Sequence, residues 1–487
     1  MFSPFYRAVF LRLIWLVSAI GLLRVSGGAV APLIILFGVW SIFNGRMQIA
    51  LSCYCIFPFL TVINPVILPM TPIFALTSRL GLVLLTLCLM VKGSGRGRER
   101  IPVLSISLYL ICAVMSSVTG YMPAISLIKI VNFFFFILGL YYISVSMDAE
   151  GLAIVGLREF CFAFALFVVG GSILTLPFPH IAYYVTVSDV LKEEGVDAAQ
   201  TLLETRFSGT GLFCGVMNQS QALAPILSCL WGWVVCDFIM IARGRGWLHL
   251  ALLGIAPILM FMTRSRSALF SLLVAGFMAL VYLIAKIRLS PRVKRRIRTM
   301  TYLGAACLFL GAAVVEVRSN AISRWVRKTD NVEGDQRGLG EALTASRQGR
   351  IEECLRDFRK NPFLGMGFQV NEFTPIRYQM GQASLLSAPI EKGFVPAMIL
   401  GEGGVLGAVV FSVFLAVFYS QCIRRRYYAC LTMFTVMLST NFAEATIFSP
   451  GGMGGAIWIV CVIGGFIVDL FSKRMVGVGN QNPRMIA

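Results

Sequence analysis

The sequence has little charge and almost no histidine. Only 13% of its 487 residues are charged and two are histidine, whereas 57% are hydrophobic, against about 45–50% in a typical soluble protein. This balance excludes a soluble globular protein, because such a chain could not cover so much apolar surface. It excludes an intrinsically disordered chain for the same reason. The scarcity of histidine argues against a histidine-based metal centre.

Nucleotide-binding motifs are also absent. The chain has no Walker loop and no glycine fingerprint in a strand–helix setting, so an ATP-driven pump is not expected. Its 13 cysteines lie mostly inside apolar runs, where a thiol behaves as a small hydrophobic group. We therefore expect no cofactor and no metal.

Long apolar runs are what the sequence does have. A membrane-spanning helix needs about 20 apolar residues, and about fourteen runs approach that length. The sequence therefore predicts an all-α polytopic membrane protein with about 12–14 transmembrane helices. The runs lie at 8–23, 28–43, 48–65, 73–91, 102–118, 124–146, 153–176, 221–242, 248–262, 267–286, 301–316, 397–420, 427–447 and 453–472.

Basic residues cluster at every second connection between these runs. The positive-inside rule makes those connections cytoplasmic, together with both termini, in a bacterial inner membrane. The net charge of +19 then reflects topology and contact with anionic lipid, and no nucleic-acid partner is expected. The basic connections are at Arg46, Lys92–Arg100, Arg243–Arg245, Lys286–Arg298, Arg424–Arg426 and Lys473–Arg474.

Two long segments interrupt the runs on the opposite side, which in a bacterium is the periplasm. That compartment holds no nucleotide, so a reaction there must use a substrate activated beforehand in the cytoplasm. The predicted organisation is N-terminal helices over 1–176, a first periplasmic loop over 177–220, central helices over 221–316, a large periplasmic loop over 317–396, and C-terminal helices with a cytoplasmic tail over 397–487.

Arginines on this outer side stand out by their placement. Arg264 and Arg266 lie in a very short turn between two apolar runs, where two guanidinium groups are costly unless they are paired or hydrated. A bound anion would offset that cost, because the planar guanidinium matches phosphate oxygens two at a time. The alternative is that both side chains reach the lipid headgroups.

The large outer loop contains a predicted amphipathic helix over Ser346–Lys360, which would dock on the membrane helices as a cap. Its apolar face carries Arg347, and Arg350 lies at the margin of that face. An anionic substrate would explain guanidinium groups turned toward the protein, although a surface helix with scattered charges remains the alternative. Gly365 and Gly367 follow the helix and permit a close backbone approach.

Candidate bases and further polar residues lie near the outer ends of other runs. Glu391 and Lys392 come just before the run at 397–420, and Glu402 lies inside that run. An acid within a membrane span is a functional candidate, but it can equally pair with an arginine to build the fold. The same ambiguity applies to Asn441 and Glu444. Lys129 and Asp237 are interpreted as lipid-edge or helix-packing charges.

Four patches resemble the O-antigen ligase/polymerase family of bacterial envelope enzymes. They are Arg206 with Gly209 or Gly211 and then Asn218, Ser265–Ser267, an arginine-containing helix followed by Asn361–Gly367, and Glu402 with Gly404 and Gly407. The resemblance implies many membrane helices under a helical periplasmic cap. It also implies transfer of glycan from an undecaprenyl-diphosphate carrier to a hydroxyl, without a nucleotide sugar or an obligatory metal.

The resemblance also implies roles for individual residues. Arg266, Arg347 and Arg350 would hold the diphosphate. Ligases of this family carry a histidine shortly before the span that corresponds to 397–420, and here Glu391 is the candidate in its place. The absence of that histidine favours a polymerase of lipid-linked repeat units. The expected substrate-binding residues are Arg206, Arg264, Asn218, Gly365, Gly367, Lys392 and Glu402.

Three alternatives remain open at this point. The protein could be a ligase that transfers glycan to lipid A core, or a flippase for lipid-linked oligosaccharide. A flippase generally lacks so long an outer loop and shows internal repetition, which this sequence does not. The third alternative is a structural partner in an envelope-polysaccharide synthesis complex. The expected partners are the lipid-linked oligosaccharide, a glycan acceptor and membrane lipid.

Overall fold

The computed structural model describes residues 4–92, 99–149, 151–183, 212–241, 246–263, 265, 270–278, 339–372, 374, 393–442 and 444–479. Within these ranges the chain is helical, and its one β-type pairing is an isolated antiparallel bridge between Ile63 and Met217. Seven helices of the described part are long and apolar enough to cross a membrane, and five shorter apolar helices accompany them. The predicted all-α polytopic membrane fold is confirmed.

The described helices coincide with most of the predicted apolar runs. The run at 267–286 is described only over 270–278, which is helical, and the run at 301–316 lies outside the described residues. The helices are α1 Pro4–Val25, α2 Ala31–Phe43, α3 Met47–Leu60, α4 Pro72–Lys92, α5 Ser107–Val118, α6 Pro123–Ala149, α7 Gly151–Thr175, α8 Ser220–Met240, α9 Trp247–Met262, α10 Leu339–Lys360, α11 Val395–Arg424, α12 Tyr428–Thr440, α13 Gly452–Trp458 and, after a π-helical turn at Ile459–Gly464, α14 Gly465–Gly479.

Proline marks the start of several helices. Pro4, Pro72 and Pro123 are the first residues of α1, α4 and α6. The proline ring sets φ near its helical value, and the missing N–H would have no partner in the first turn anyway. Proline therefore begins these spans without the loss of a backbone hydrogen bond.

The core lies around α8 and the continuous helix Gly452–Arg474. In the most apolar window of the latter 94% of residues are buried, and in α8 the figure is 78%. By contrast, only 28% are buried in α1 and in α11. Because lipid is as apolar as a leucine side chain, the outer helices can leave Leu, Ile and Phe exposed to it. The fold therefore has a core of buried helices, which also includes α3 and α7, packed against helices that leave apolar side chains exposed.

The described residues of three basic connections, those around Arg100, Arg425 and Lys473, meet at one end of the bundle, which we call the basic end. The Arg425 guanidinium donates to the carbonyl oxygen of Arg100 at 3.0 Å, and Lys473 Nζ lies 3.0 Å from a carboxylate oxygen of Glu99. Arg158, close to the start of α7, stacks on Phe5 of α1 at 4.1 Å. These three connections therefore share one end of the bundle in the described residues, as the Lys and Arg pattern predicts for them.

The remaining described connections meet at the other end, which we call the opposite end. Asn218 N donates to the Val62 carbonyl oxygen at 2.8 Å, and Gly452 N donates to Thr61 Oγ1 at 2.9 Å. Tyr121 N donates to the Met366 carbonyl oxygen at 3.3 Å, which joins the α5–α6 turn to the segment after α10. The polar loops of this end thus form one connected layer over the bundle.

Candidate functional site

A cavity of about 450 Å³ opens at the opposite end of the bundle. Its size falls within the range of about 300–1,000 Å³ that is usual for ligand pockets. The walls come from the end of α3, the first half of α4 and of α6, the starts of α8 and α13, and the connections before α4, α8 and α13. It is the best candidate for a functional site among the described residues.

Buried asparagines give the wall-forming connections their shape. Asn64 Nδ2 donates to the Ile181 carbonyl oxygen at 2.8 Å, and Asn64 Oδ1 accepts from Val66 N at 3.0 Å. An asparagine side chain can replace backbone partners in this way, so the loop is fixed without a strand or helix. The α3–α4 connection is thereby held against the segment that precedes α8.

Asn441 plays the same part in the connection between α12 and α13. Its Oδ1 accepts from the N–H groups of Thr446 and Ile447, both at 2.8 Å, and its Nδ2 donates to the Met437 carbonyl oxygen at 2.8 Å. Thr446 lines the cavity, whereas Asn441 does not. The ambiguity over Asn441 is thus resolved: within the described residues it supports the cavity wall.

Two cationic side chains, Arg79 of α4 and Lys129 of α6, line the cavity. Lys129 is only 6% exposed, and its Nζ donates to the carbonyl oxygen of Gln369 at 3.0 Å. Of the two interpretations of Lys129, a lipid-edge charge or a helix-packing charge, the structure favours the second, since the side chain points into the bundle. A cation inside a membrane span is costly, and such residues ordinarily mark ion or substrate sites.

Asn218 is the predicted substrate-binding residue that lies in the cavity wall. Its Oδ1 is buried and has no hydrogen-bond partner in the described structure. A buried acceptor left in this state costs about 1–3 kcal/mol, which a ligand that donates a hydrogen bond would recover. Gln219, Asn132 and Gln369 add further amide groups to the same lining.

Gln369 links the cavity to the segment that follows α10. It is 3% exposed, its Nε2 donates to the Phe448 carbonyl oxygen at 2.6 Å, and its backbone has a positive φ of 55°. Non-glycine residues adopt that region rarely, and where they do the surroundings hold them there. Here the hydrogen bond from the side-chain amide of Gln369 to Phe448 and the hydrogen bond from Lys129 to the Gln369 carbonyl oxygen hold Gln369 in the wall.

The segment Asn361–Gly367 supplies hydrogen-bond partners for backbone groups of α11. Within α11, Gly404 has φ 61° and ψ −160°, so the helix is broken there. The N–H groups of Val405 and Leu406 donate to the carbonyl oxygens of Pro362 and Phe363 at 2.9 and 3.2 Å.

The carbonyl groups on the other side of the break bond to the same segment. Those of Gly401 and Glu402 accept from Met366 N and Gly367 N at 2.9 and 3.2 Å. Two intrahelical bonds are thus exchanged for four bonds between the helix and the segment, so each of these four helix groups has a partner.

Glycine is required on both sides of this contact. A Cβ on Gly365, which has φ 75°, would lie 2.4 Å from the backbone of Glu402, and a Cβ on Gly404 would lie 2.4 Å from the backbone of Phe363. The predicted close approach at Gly365 thus occurs, and its partner is the fourth patch of the sequence, Glu402–Gly407. Two patches that are distant in sequence form one structural unit.

The helix α10 docks on the bundle through a buried carboxyl group. Asp357 is 1% exposed, and one of its oxygens accepts from the Tyr121 hydroxyl at 2.7 Å. Lys360 Nζ donates to Tyr121 Oη at 3.1 Å and to Glu372 at 2.7 Å. Burial and the bond to Asp357 raise the pKa of Tyr121, while the hydrogen bond from Lys360 lowers the pKa of Glu372.

The predicted site residues fall into four groups. Asn218 lines the cavity. Gly365 and Gly367 lie in the segment bonded to α11, with Glu402 buried beside them and not among the described lining residues. Arg350 is half-buried on α10, and Arg347 belongs to the same helix. Outside the described residues are Glu391, Arg266, Arg206, Arg264 and Lys392, whose roles stay predictions.

Sequence reasoning missed the two cations that line the cavity. A usable signal was present: Arg79 and Lys129 are charged residues inside the apolar runs 73–91 and 124–146, and such positions are functional by default. Gln369 carried no comparable signal.

Among the described residues no group of His, Cys, Asp and Glu could hold a metal ion. No family model matches the chain, and no curated protein matches it by sequence.

Proposed function

We propose that the protein is a glycosyltransferase that polymerises polyprenyl-diphosphate-linked repeat units of a bacterial surface polysaccharide on the periplasmic side of the inner membrane. The observation that carries the proposal is the lining of the cavity at the opposite end. Arg79 and Lys129 suit a diphosphate, and the unsatisfied Asn218 Oδ1 suits a sugar hydroxyl. A sugar joined to a diphosphate presents both kinds of group to one cavity.

The proposed reaction is a displacement at the anomeric carbon of the donor glycan. The acceptor hydroxyl oxygen forms the new bond to that carbon as the bond to the diphosphate oxygen breaks. The polyprenyl diphosphate leaves with the electron pair, and its added negative charge is stabilised by cationic side chains. The hydroxyl proton passes to a general base, for which Glu391 is the predicted candidate.

The position of the cavity between membrane helices supports a lipid-linked substrate. Its lining includes apolar side chains of α3, α4 and α6, such as Phe57, Leu82 and Ile128. Ile128 is also part of the exposed apolar surface of the bundle. The lining of the cavity is therefore continuous with the surface that faces lipid. A polyprenyl tail can then remain in contact with lipid while its head group enters the polar part.

The test is a matched pair of substitutions of the same kind at the two ends of the bundle. Lys129→Met removes a cation from the cavity, and Lys92→Met removes an exposed cation at the basic end. Each purified protein is given polyprenyl-diphosphate-linked repeat units from a deletion strain, and glycan chain length is measured. We expect Lys129→Met to reduce chain growth at least about tenfold, and Lys92→Met to leave it unchanged.

The outcomes separate the alternatives. Unchanged chain growth in Lys129→Met protein of normal thermal stability would contradict the proposed site. Surface polysaccharide of the deletion strain reports on the reaction: single repeat units indicate a lost polymerase, whereas carrier-bound long chains indicate a lost ligase. Translocation of a lipid-linked oligosaccharide into vesicles without chain growth would replace the proposal by a flippase.

A further inference from the structure

A second recess lies at the basic end, where the segment before α5, the second half of α6 and the end of α11 meet. It measures about 250 Å³ and is lined by Arg100, Ile101, Pro102, Leu104, Ser105, Tyr141, Gln421 and Arg425. We call this recess the basic groove. It is separate from the cavity described above, with which it shares no lining residue.

The two arginines of the basic groove are held in place by the protein. Arg100 Nη1 donates to the Tyr141 hydroxyl at 2.9 Å, and Arg425 Nη1 donates to the carbonyl oxygen of Arg100 at 3.0 Å. A guanidinium has five N–H donors, and each of these bonds occupies one. The arrangement therefore brings two oriented planar cations to a single recess, which suits the oxygens of a phosphate group.

Glu99, the residue before Arg100, is engaged mainly by groups outside the basic groove, with a further electrostatic contribution from Arg425. Glu99 accepts from Lys473 Nζ at 3.0 Å and from the Tyr427 hydroxyl. Burial works against ionisation of Glu99, but these hydrogen bonds outweigh it and lower its pKa. Glu99 is thus an anion held by Lys473, and the neighbouring exposed Arg424 and Arg426 add to the positive charge of this surface.

An exposed apolar stripe begins where the basic groove ends. Leu104 lines the groove, and Leu108, Ile111 and Met115 follow it along α5 at intervals of four, three and four residues. Within α5 that spacing places Leu108, Ile111 and Met115 on one face of the helix, and Leu104 lies in the 3-10 turn Pro102–Ile106 that leads into it. Their exposed fractions are 49%, 59% and 49%. In a membrane protein such a stripe faces acyl chains.

We propose that the basic groove is a binding site for an anionic phospholipid. The phosphate group lies between Arg100 and Arg425 within reach of Tyr141, and an acyl chain lies along the stripe from Leu108 to Met115. The charge of the groove selects an anionic headgroup, and the stripe in line with it selects a lipid over a free phosphate ion.

The experiment measures lipid adducts on the purified full-length protein by native mass spectrometry. Phosphatidylglycerol and phosphatidylcholine are titrated against the wild type, Arg100→Ala/Arg425→Ala, and the control Lys92→Ala/Arg424→Ala. Both variants lose two positive charges at the same end, but Lys92 and Arg424 lie outside the groove. We expect roughly thirtyfold weaker phosphatidylglycerol binding in the first variant, at most about threefold in the control, and weak phosphatidylcholine binding throughout.

Three results would overturn the proposal. These are equal weakening in both variants, equal binding of the two lipids by the wild type, and displacement of the lipid by inorganic phosphate at about 10 mM. If the alanine variant does not fold, Arg100→Lys/Arg425→Lys replaces it. That variant keeps the charge but loses the planar fork, so we expect intermediate affinity, and unchanged affinity would also overturn the proposal.

Discussion

The two ends of the bundle use buried charge in different ways. Near the basic end, Asp237 accepts from Arg158 at 2.7 Å and lies 2.9 Å from His249 Nε2, so the charges are matched within the protein. At the opposite end, Arg79 and Lys129 face a cavity. The comparison teaches that burial of a charged residue does not by itself separate a structural role from a functional one. What distinguishes the two positions is that Lys129 lines a cavity in addition to its hydrogen bond to the Gln369 carbonyl oxygen, whereas Asp237 does not line that cavity.

The largest expected effect is at the ion pair of Asp237. Asp237→Ala leaves Arg158 and His249 buried without their carboxylate, so we expect the free energy of unfolding to fall by about 3–5 kcal/mol. Denaturant unfolding in detergent micelles measures it. The control is Glu159→Ala, because Glu159 lies 3.7 Å from the partly exposed Arg12 and should cost less than about 1 kcal/mol. Equal losses would contradict the assignment of Asp237 as the carboxylate on which the buried charges of Arg158 and His249 depend.

The next effect concerns the broken helix α11. Gly404→Ala adds a Cβ that meets the backbone of Phe363 at 2.4 Å, in a conformation of positive φ, so we expect a loss of at least about 2 kcal/mol. The neighbouring Gly403→Ala is the control, since its Cβ would lie 3.9 Å from the Tyr109 ring. It should change stability by less than about 1 kcal/mol. Thermal unfolding of both variants compares them, and the reverse order would contradict the described contact.

A third effect separates stability from activity. Asn218→Leu removes a buried acceptor that has no partner in the described structure, so stability should stay equal or rise while chain growth falls about tenfold. Asn44→Leu at the basic end should do the reverse. Its Nδ2 caps the Trp40 carbonyl oxygen at 2.8 Å, so stability falls by about 1 kcal/mol and chain growth is unchanged. Loss of activity in both variants would count against the cavity.

The smallest effect is a pH dependence of the docking of α10. Lys360 lowers the pKa of Glu372, so the stabilisation is complete above the unfolded value of about 4.3 and is lost as the pH falls through the lower folded value. Because Lys360 is 43% exposed, we expect less than about 1 kcal/mol. The shift in thermal midpoint between about pH 7 and pH 3 should shrink in Glu372→Gln. An unchanged shift would exclude Glu372 as its source.

The fold was largely predictable from the sequence because a membrane helix can be identified from its local composition. Each apolar run needs only its own length to be recognised, and the boundaries of α4 and α11 lie within a few residues of the predicted runs. The helix Ser346–Lys360 was also predicted, and it is part of the longer α10. Its buried Asp357 was not, since an acid on an apolar face has no local signature until its partner Tyr121 is known.

The candidate site was predictable only in part, for a physical reason. Asn218, Gly365 and Glu402 were singled out one at a time, but the contact between Gly365 and Glu402 depends on the packing of α10 against α11. Lys129 was left between a lipid-edge and a helix-packing charge because helical periodicity in a uniformly apolar run does not reveal which face meets the protein. Burial decides that question, and it follows from the packing of the whole bundle.

The exchange of backbone bonds at Gly404 has a mechanical consequence. The segment after α10 completes the hydrogen bonding of a membrane helix, so this outer segment is a structural part of the bundle and cannot be removed as an independent domain. Deletion of Asn361–Gly367 would leave the N–H groups of Val405 and Leu406 and the carbonyl groups of Gly401 and Glu402 without these partners, each costly in an apolar surrounding. Displacement of α10 would therefore be transmitted directly to the middle of α11.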